Sequence, residues 1–372
     1  MIHGEICRVL IAAGGTGGHI YPGIAVGKVI EEKHGNEAEV WYACGERELE
    51  RKLYAENFIS PVVFPARQIR SGVAGKISSW GSAFGNLIRA ARFLRREQID
   101  VVLGMGGYVA GPTILAAKLL GCRTAIHEAN SIPGRTNRWL APYMDLVAVH
   151  FKSTLKQLRT SRGEVVGMPI RALGWAGSRQ DAAAKFGLNP EIQTALVMGG
   201  SQGARYLYEK IADSLPLLDS KLTAPLQLLW STGEANHAFI ADRVSKLQLA
   251  NIKISLQPFV SEMGAALACS DFAIARSGAG TVAELVGHRV FAIYVPFPNA
   301  IYDHQTLNAQ EAANMGMGVV LKENEISPDR LTDTILIAVK HSADTPPRAS
   351  ELVSAKSAAE LLAEELLGTC GR

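Results

Sequence analysis

The sequence predicts an α/β protein built from two Rossmann-like domains, each a doubly wound parallel sheet, facing a central cleft. Short, almost continuously apolar runs alternate with helical patterns along the chain, which is typical of parallel strands covered by helices on both faces. This alternation is interrupted once, over residues 163–191, where glycines, polar residues and Pro169 replace it. Glycine-rich segments follow four of the apolar runs, two on each side of the interruption.

The interruption predicts the domain boundary. A chain of 372 residues is longer than one hydrophobic core usually supports, so two domains are expected. We expect residues 1–170 to form the first domain and residues 171–348 the second. The last helical pattern, about 349–368, has an apolar face that suits packing on either one.

Composition and charge exclude several classes of protein. The chain is 48% hydrophobic and 20% charged, as in ordinary globular proteins, and its net charge of +3 is too small for a nucleic-acid binder that uses its whole surface. No apolar run reaches the ~18 residues of a membrane span. The five cysteines are scattered, which predicts free thiols in a reducing cytosol.

The four glycine-rich segments are the main candidates for ligand binding. They are "GGTGGH" (14–19), "GMGGYVAG" (104–111), "GGSQGAR" (199–205) and "RSGAGTVAE" (276–284). Each lies where a parallel strand is expected to turn into a helix, which is where open α/β sheets bind ligands. A single segment would be explained by a tight turn needed for packing. Four such segments favour a phosphate-containing ligand, held by backbone N–H groups at helix N-termini.

Two common nucleotide motifs are not supported. "GAGTVA" (278–283) matches G-x-G-x-x-A, but a dinucleotide enzyme normally carries that pattern on its first strand, where this chain has "GGTGGH". No P-loop sequence occurs. The chain also has no D-x-D pair, so neither a metal bridging a diphosphate through that motif nor any other cofactor is expected.

Several polar side chains near these turns suit a sugar nucleotide, and each has a structural alternative. His19 suits a general base near neutral pH, or a side chain that shapes the turn. In "HEAN" (127–130), Glu128 and Asn130 follow a strand, where Asn130 could equally cap a helix. Gln305 and Asn308 share one face of a helix and suit sugar hydroxyls, or belong to an ordinary helix start.

The segment 76–96 has the pattern of an amphipathic basic helix. Ile77, Trp80 and Phe84 lie on its apolar stripe, and Arg89 and Arg92 flank that stripe. Such a helix suits the interface of an anionic membrane, although the pattern alone favours a core-facing helix with a solvated basic flank.

Taken together, the motifs resemble those of the MurG family of peptidoglycan glycosyltransferases. "GGTGGH", "GMGGYVAGP", "HEAN", "GGSQGAR", "RSGAGTVAE" and "PFPNAIYDHQTLNA" occur in the family's order over residues 14–309. The resemblance implies the GT-B fold and an inverting transfer of N-acetylglucosamine from UDP-N-acetylglucosamine to the muramic acid C4 hydroxyl of lipid I (undecaprenyl-diphospho-muramoylpentapeptide). The products would be UDP and lipid II, formed at the cytoplasmic face of the membrane. It also implies that segment 76–96 contacts the membrane and that the final helix packs on the first domain.

The resemblance assigns roles to individual residues. His19, followed by Glu128, is implied for proton transfer. Glu284 would bind the ribose and Val260 the uracil through its backbone. The remaining implied contacts with the two substrates are Thr16, Gly17, Gly18, Asn130, Arg171, Ser201, Ala279, Gly280, Thr281, Gln305 and Asn308.

Three positions depart from the family pattern. Met168 stands where the family usually has asparagine, Trp230 begins a "WSTG" segment in place of a histidine and glutamine, and Arg289 stands where glycine is usual. Two rival functions therefore remain. One is another GT-B enzyme, such as a different lipid-linked sugar transferase or a UDP-N-acetylglucosamine epimerase. The other is a non-catalytic scaffold that binds a nucleotide sugar.

Overall fold

The computed structural model describes residues 6–65, 73–170, 175–200, 204–344, 356–368 and 370, with the side chains of 73–83 left out. The chain divides into two compact units, one formed by Met1–Arg171 and Ser354–Arg372, the other by Ala172–Val353.

The first unit is built on a parallel sheet. Within the described residues this sheet has the strands β1 (Cys7–Ala13), β2 (Ala38–Cys44), β3 (Val62–Val63), β4 (Val101–Gly106), β5 (Arg123–Glu128), β6 (Leu146–Val149) and β7 (Gly163–Val165). They lie in the order β3-β2-β1-β4-β5-β6-β7. The helices that alternate with them are α1 (Gly17–His34), α2 (Glu48–Ala55), α3 (Val73–Arg96), α4 (Ala110–Leu120), α5 (Arg135–Leu140) and α6 (Lys152–Leu155), and one 3₁₀ turn spans Ala141–Tyr143.

The second unit repeats the same plan. Its described strands are β8 (Gln193–Met198), β9 (Leu226–Ser231), β10 (Ile252–Gln257), β11 (Phe272–Ala275), β12 (Phe291–Tyr294) and β13 (Gly318–Val320), in the parallel order β10-β9-β8-β11-β12-β13. Its helices are α7 (Arg179–Lys185), α8 (Arg205–Lys221), α9 (Glu234–Ser245), α10 (Met263–Cys269), α11 (Ala279–Gly287), α12 (His304–Asn314) and α13 (Pro328–Asp344), with 3₁₀ turns at Ile301–Asp303 and Glu323–Glu325. The predicted fold class, two doubly wound parallel sheets, is confirmed.

Each sheet reverses its strand order once, and this point is where such folds bind ligands. In the first unit the reversal lies between β1 and β4, and in the second between β8 and β11. The strands beside each reversal are almost fully buried, because helices cover both faces of the sheet. The four glycine-rich segments of the sequence lie at the carboxyl ends of these four strands, and each of them extends into the following helix.

The last helix, α14 (Ala358–Leu367), completes the core of the first unit. Its side chains Leu362 and Leu366 are buried in one cluster with Ile20 and Ile24 of α1. Lys33 of α1 also pairs with Glu360.

The return of α14 brings two distant cysteines together. Cys7, at the start of β1, forms a disulfide with Cys370, and their Cα atoms are 6.1 Å apart. The prediction that the cysteines are free thiols is therefore wrong for this pair. Cys44, Cys122 and Cys269 are free. The pairing follows from the packing of α14 against α1 in the first unit, which cysteine spacing does not reveal.

A buried arginine holds the loops at the carboxyl edge of the second sheet. Arg276, directly after β11, donates from Nη1 to the backbone oxygens of Val295 and Pro296, each at 3.1 Å, after β12. Its Nη2 pairs with Glu323, after β13, and both side chains are largely buried. One guanidinium therefore connects the ends of three neighbouring strands.

A buried histidine makes the first unit sensitive to acid. Both ring nitrogens of His150 are buried, with no hydrogen-bond partner among the described residues, and the ring lies 3.9 Å from that of Phe151. Burial, and next the neighbouring His127, lowers the pKa of His150 to about 3. The folded state therefore holds the imidazole neutral at a pH where the unfolded chain protonates it.

We predict that His150→Phe reduces the loss of stability on acidification. The pKa of His150 in the folded state lies below the unfolded value of about 6.5. Above pH 6.5 the imidazole is therefore neutral in both states, and as the pH falls below 6.5 only the unfolded chain binds the proton, which lowers the free energy of unfolding. Between pH 7.5 and 5.5 the wild type should lose about 1.4 kcal/mol more than the variant. Urea unfolding at both pH values measures this, and an equal loss in the two proteins would contradict it.

We also predict that Arg276→Met destabilises the second unit by about 3 to 5 kcal/mol, because it leaves the Glu323 carboxylate buried without its partner. Arg243 provides the matched control, since its pair with Asp213 is exposed. Arg243→Met should cost less than about 1 kcal/mol. Thermal and urea unfolding compare the two variants. Similar losses in the free energy of unfolding would show that the buried pair contributes no more than the exposed one.

Candidate active site

The glycine turn after β1 leaves the start of α1 uncovered. Gly15 has a φ of +93°, a left-handed conformation that favours glycine, and Thr16 precedes the helix in an extended conformation without a side-chain cap. Gly17 and Gly18 form the first helical positions, and the first turn of α1 contains no acidic residue. The backbone N–H groups there carry the positive end of the helix dipole.

His19 points back onto this turn. Its Nδ1 lies 3.0 Å from the carbonyl oxygen of Gly14, and the side chain is half-buried. A Cβ atom placed on Gly106, in the loop after β4, would lie 2.8 Å from His19 Cδ2 and 3.0 Å from Nε2. A glycine is therefore required beside the imidazole, and Nε2 lies on the side of the ring that faces the β4 loop.

Glu50 links the loops around His19, and the sequence analysis missed it. The carboxylate is fully buried and accepts hydrogen bonds from Gly15 N–H at 2.7 Å, Gly45 N–H at 2.6 Å and the Tyr108 hydroxyl at 2.6 Å. These donors belong to the loops after β1, β2 and β4. In the sequence, Glu50 lies in "ERELERKL", where it looks like one more solvated helix charge. A signal that could have identified it is its spacing of three and four residues from Leu53 and Tyr54, which places all three side chains on one face of α2.

Glu128 has the contacts of a structural carboxylate. It is buried at the end of β5, and Oε1 accepts from Asn130 N–H at 3.0 Å. Oε2 accepts from Gly134 N–H at 2.9 Å and from Asn137 Nδ2 at 2.8 Å. Both oxygens are therefore engaged in shaping the loop 130–137, and the role of Glu128 in proton transfer stays a prediction. Asn130 lies half-buried on the same loop.

In the second unit, the predicted phosphate contacts lie at the start of α11. Gly278 precedes the helix, Ala279, Gly280 and Thr281 form its first turn, and that turn contains no acidic residue. A Cβ placed on Gly278 or Gly280 would meet no described atom within 4 Å, so there is space beside the exposed N–H groups. Glu284 follows one turn later and is half-buried.

The structure places Gln305 and Asn308, both on α12, in different environments. Gln305 is half-buried at the start of α12, and its Oε1 accepts from Phe297 N–H at 2.9 Å. Asn308 is 0% exposed, and its Nδ2 donates to the Ser277 carbonyl oxygen at 3.2 Å. In this arrangement Asn308 fixes the loop after β11, whereas Gln305 is partly accessible. A direct sugar contact stays a prediction for both residues.

The structure describes only some of the other residues predicted to bind substrate or membrane. Val260 follows β10 at the same carboxyl edge as α11 and is buried, with the exposed Phe259 beside it. Arg171 and Ser201 lie outside the described residues, as do the side chains of Ile77 and Trp80. On α3, Phe84 is 66% exposed, and Arg89 and Arg92 are exposed.

The departures from the family pattern have different structural consequences. Met168 is buried, and Trp230 is fully buried in β9, where it packs edge-on against Tyr208. Arg289 has a φ of +54° just after α11. A glycine is favoured in that conformation, so the arginine adds about 1 kcal/mol of backbone strain there. None of the three lies at the start of α1 or α11.

Two further findings concern a metal site and a membrane-spanning helix. Within the described ranges, no three His, Cys, Asp or Glu side chains gather in a way that could hold a metal ion. In the part of the chain covered by the structure, no helix is long and apolar enough to cross a bilayer.

Comparison with known proteins identifies the family. Residues 9–149 match the glycosyltransferase family 28 N-terminal domain, and residues 194–366 match the family 28 C-terminal domain. A relative from Syntrophus aciditrophicus is 33% identical over 361 residues, which cover 95% of this chain and 97% of that protein. It is named UDP-N-acetylglucosamine–N-acetylmuramyl-(pentapeptide) pyrophosphoryl-undecaprenol N-acetylglucosamine transferase.

Solved structures agree with this result. The crystal structure of Acinetobacter baumannii MurG has a TM-score of 0.77 and 26% identity, covering 97% of this chain and 99% of that one. The UDP-N-acetylglucosamine 2-epimerase of Methanocaldococcus jannaschii has a TM-score of 0.61 at 13% identity, covering 95% and 98%, a likeness that shows the fold alone. The chain belongs to glycosyltransferase family 28, and within it to the MurG family of N-acetylglucosamine transferases.

Proposed function

We propose that this protein transfers N-acetylglucosamine from UDP-N-acetylglucosamine to the muramic acid C4 hydroxyl of lipid I, producing lipid II and UDP for peptidoglycan synthesis. The observation that carries this proposal is the 33% identity, over nearly the whole of both chains, to a relative named for this transfer. The epimerase shares only the fold, so that rival is not favoured.

The second unit supplies the groups for the donor. The N–H groups of Ala279, Gly280 and Thr281 bind the diphosphate, where their fixed dipoles stabilise the charge that develops on departing UDP. Glu284 accepts hydrogen bonds from the ribose hydroxyls. Gln305 binds the sugar, and Val260 holds the uracil through its backbone.

Six further contacts follow from the family resemblance. Ser201 contacts the diphosphate, and Asn130 and Arg171 also reach the donor. Gly17 and Gly18, beside Thr16, border the substrates at the start of α1. The first unit thereby provides an exposed helix start, and the second unit provides another.

His19 of the first unit acts as the general base. As the new bond forms between the acceptor oxygen and C1 of the sugar, the bond from C1 to the diphosphate oxygen breaks. The hydroxyl proton passes to His19 Nε2, and the bonding electrons leave with UDP. The Nδ1 contact with Gly14 supports this role, because a carbonyl oxygen only accepts and so Nδ1 carries the proton in that bond. Nε2 then has the free lone pair in the neutral ring.

The protein works at the cytoplasmic face of the membrane, bound at its surface. The exposed Phe84, with Arg89 and Arg92 on the same helix, supports contact with anionic lipid. Lipid I, whose undecaprenyl chain stays in the bilayer, is then available to the first unit.

The test of function is incubation with UDP-N-acetylglucosamine and lipid I, followed by detection of lipid II and UDP.

His19→Ala should lower kcat by about 100-fold or more, the usual contribution of a general base, with little change in donor KM. Glu284→Ala should instead raise donor KM. Product formed at the wild-type rate by His19→Ala would remove His19 from the chemistry, whereas nucleotide binding without turnover by the wild type would favour the scaffold function.

We predict that Arg89→Ala with Arg92→Ala weakens binding to vesicles of phosphatidylglycerol and phosphatidylethanolamine by roughly 30-fold, since each cation contributes about 1 kcal/mol. Phe84→Ser should weaken it further through the loss of apolar contact. Phe58, which is 100% exposed after α2, provides the matched aromatic control. Phe58→Ser should bind like the wild type in a vesicle sedimentation assay, and equal losses at Phe84 and Phe58 would refute a specific surface.

A further inference from the structure

One peptide group connects Glu50 to His19. The N–H of the peptide bond between Gly14 and Gly15 donates to Glu50 Oε1 at 2.7 Å, and its C=O lies 3.0 Å from His19 Nδ1. This peptide bond is trans, so its N–H and C=O point in opposite directions. The carboxylate and the imidazole therefore lie at the two ends of one continuous hydrogen-bonded chain.

The carboxylate at the start of this chain is firmly held. Gly45 N–H and the Tyr108 hydroxyl, each 2.6 Å away, fix its two oxygens from the loops after β2 and β4. Burial, then the hydrogen bond to Glu50 and its charge, raises the pKa of Tyr108, which keeps the phenol protonated as a donor. With three donors around it, the carboxylate cannot turn away from Gly15.

The imidazole at the other end has one consistent tautomer. The Gly14 carbonyl accepts the Nδ1 proton. On its other side the ring lies so near Gly106 that a Cβ placed there would be 2.8 Å from Cδ2. A peptide group whose N–H faces a carboxylate is polarised, which makes its carbonyl a stronger acceptor. The negative charge of Glu50 thereby acts on His19 without touching it.

We propose that Glu50 is a positioning residue for the transfer reaction, which orients His19 and holds it in the Nδ1–H tautomer through the Gly14–Gly15 peptide group. This inference rests on the proposed function, in which His19 Nε2 accepts the proton. Unlike a clamp that only stabilises the loops, this role predicts a specific effect on the imidazole.

Kinetics of Glu50→Gln provide the first test. The variant removes the negative charge at nearly constant size. We expect kcat to fall about 10- to 100-fold, the range for side chains that orient a metal-ligating histidine. The KM for UDP-N-acetylglucosamine should stay within about twofold, because Glu284, Val260 and the helix start at 279–281, which are proposed to bind the ribose, the uracil and the diphosphate, belong to the other unit. Glu48→Gln removes the same charge from an exposed position on the same helix and should keep wild-type kcat. Wild-type kcat in Glu50→Gln would overturn the proposal.

The tautomer provides a readout that a purely structural role would not move. In two-bond ¹H–¹⁵N correlation spectra, His19 of the wild type should show a protonated Nδ1 and an unprotonated Nε2, with the signals assigned by their loss in His19→Ala. In Glu50→Gln we expect the Nε2–H form to gain population. Unchanged signals of the buried His127 and His150 would show that the first unit is still folded. An unaltered His19 tautomer in a folded variant would overturn the proposal.

A measurement on the wild type decides the matter if Glu50→Gln does not fold. The Gly15 amide should be protected from hydrogen exchange by its bond to Glu50, and rapid exchange there would overturn the proposal. These spectra do not depend on turnover. If His19→Ala keeps its activity while the Glu50-dependent tautomer is observed, the base assignment fails and the link between Glu50 and His19 stands.

Discussion

The carboxyl edge of the first sheet depends on one buried carboxylate. Glu50 receives donors from the loops after β1, β2 and β4, two of which lie on either side of the point where the strand order reverses. Glycine-rich loops have little side-chain packing of their own to hold their shape. The Glu50 carboxylate, with its three donors, replaces that packing. It thereby fixes the geometry of the glycine turn before α1.

In the second sheet a positively charged side chain, Arg276, fixes the loops at the carboxyl edge. Arg276 contacts carbonyl oxygens after β12 and a carboxylate after β13, so a donor group binds acceptors where Glu50 binds donors. Asn308 and the Ser277 hydroxyl, which donates to the Gln305 carbonyl oxygen, add neutral hydrogen bonds to the same edge. In both units the loops are fixed beside a helix start without a side-chain cap, which is the arrangement that the proposed phosphate contacts require.

Sequence patterns predicted the parts of the protein that local chemistry determines. Alternating apolar runs identified both sheets, and glycines identified the turns at their reversal points, because such turns require residues without side chains. The contacts of Glu50 were not predictable, since its three donors are dispersed along the chain and meet only in the folded sheet. The burial of Asn308 was not predictable for the same reason, and the pairing of Cys7 with Cys370 depends on the path of α14.

That path has a consequence for the order in which the protein forms during synthesis. Leu362 and Leu366 belong to the core of the first unit but leave the ribosome after the whole of the second unit. The second unit, contained within Ala172–Val353, has all its residues earlier. Its core can close while the N-terminal sheet still exposes the apolar face of α1 that α14 later covers. Loss of α14 alone should therefore expose an apolar surface near the opposite end of the sequence.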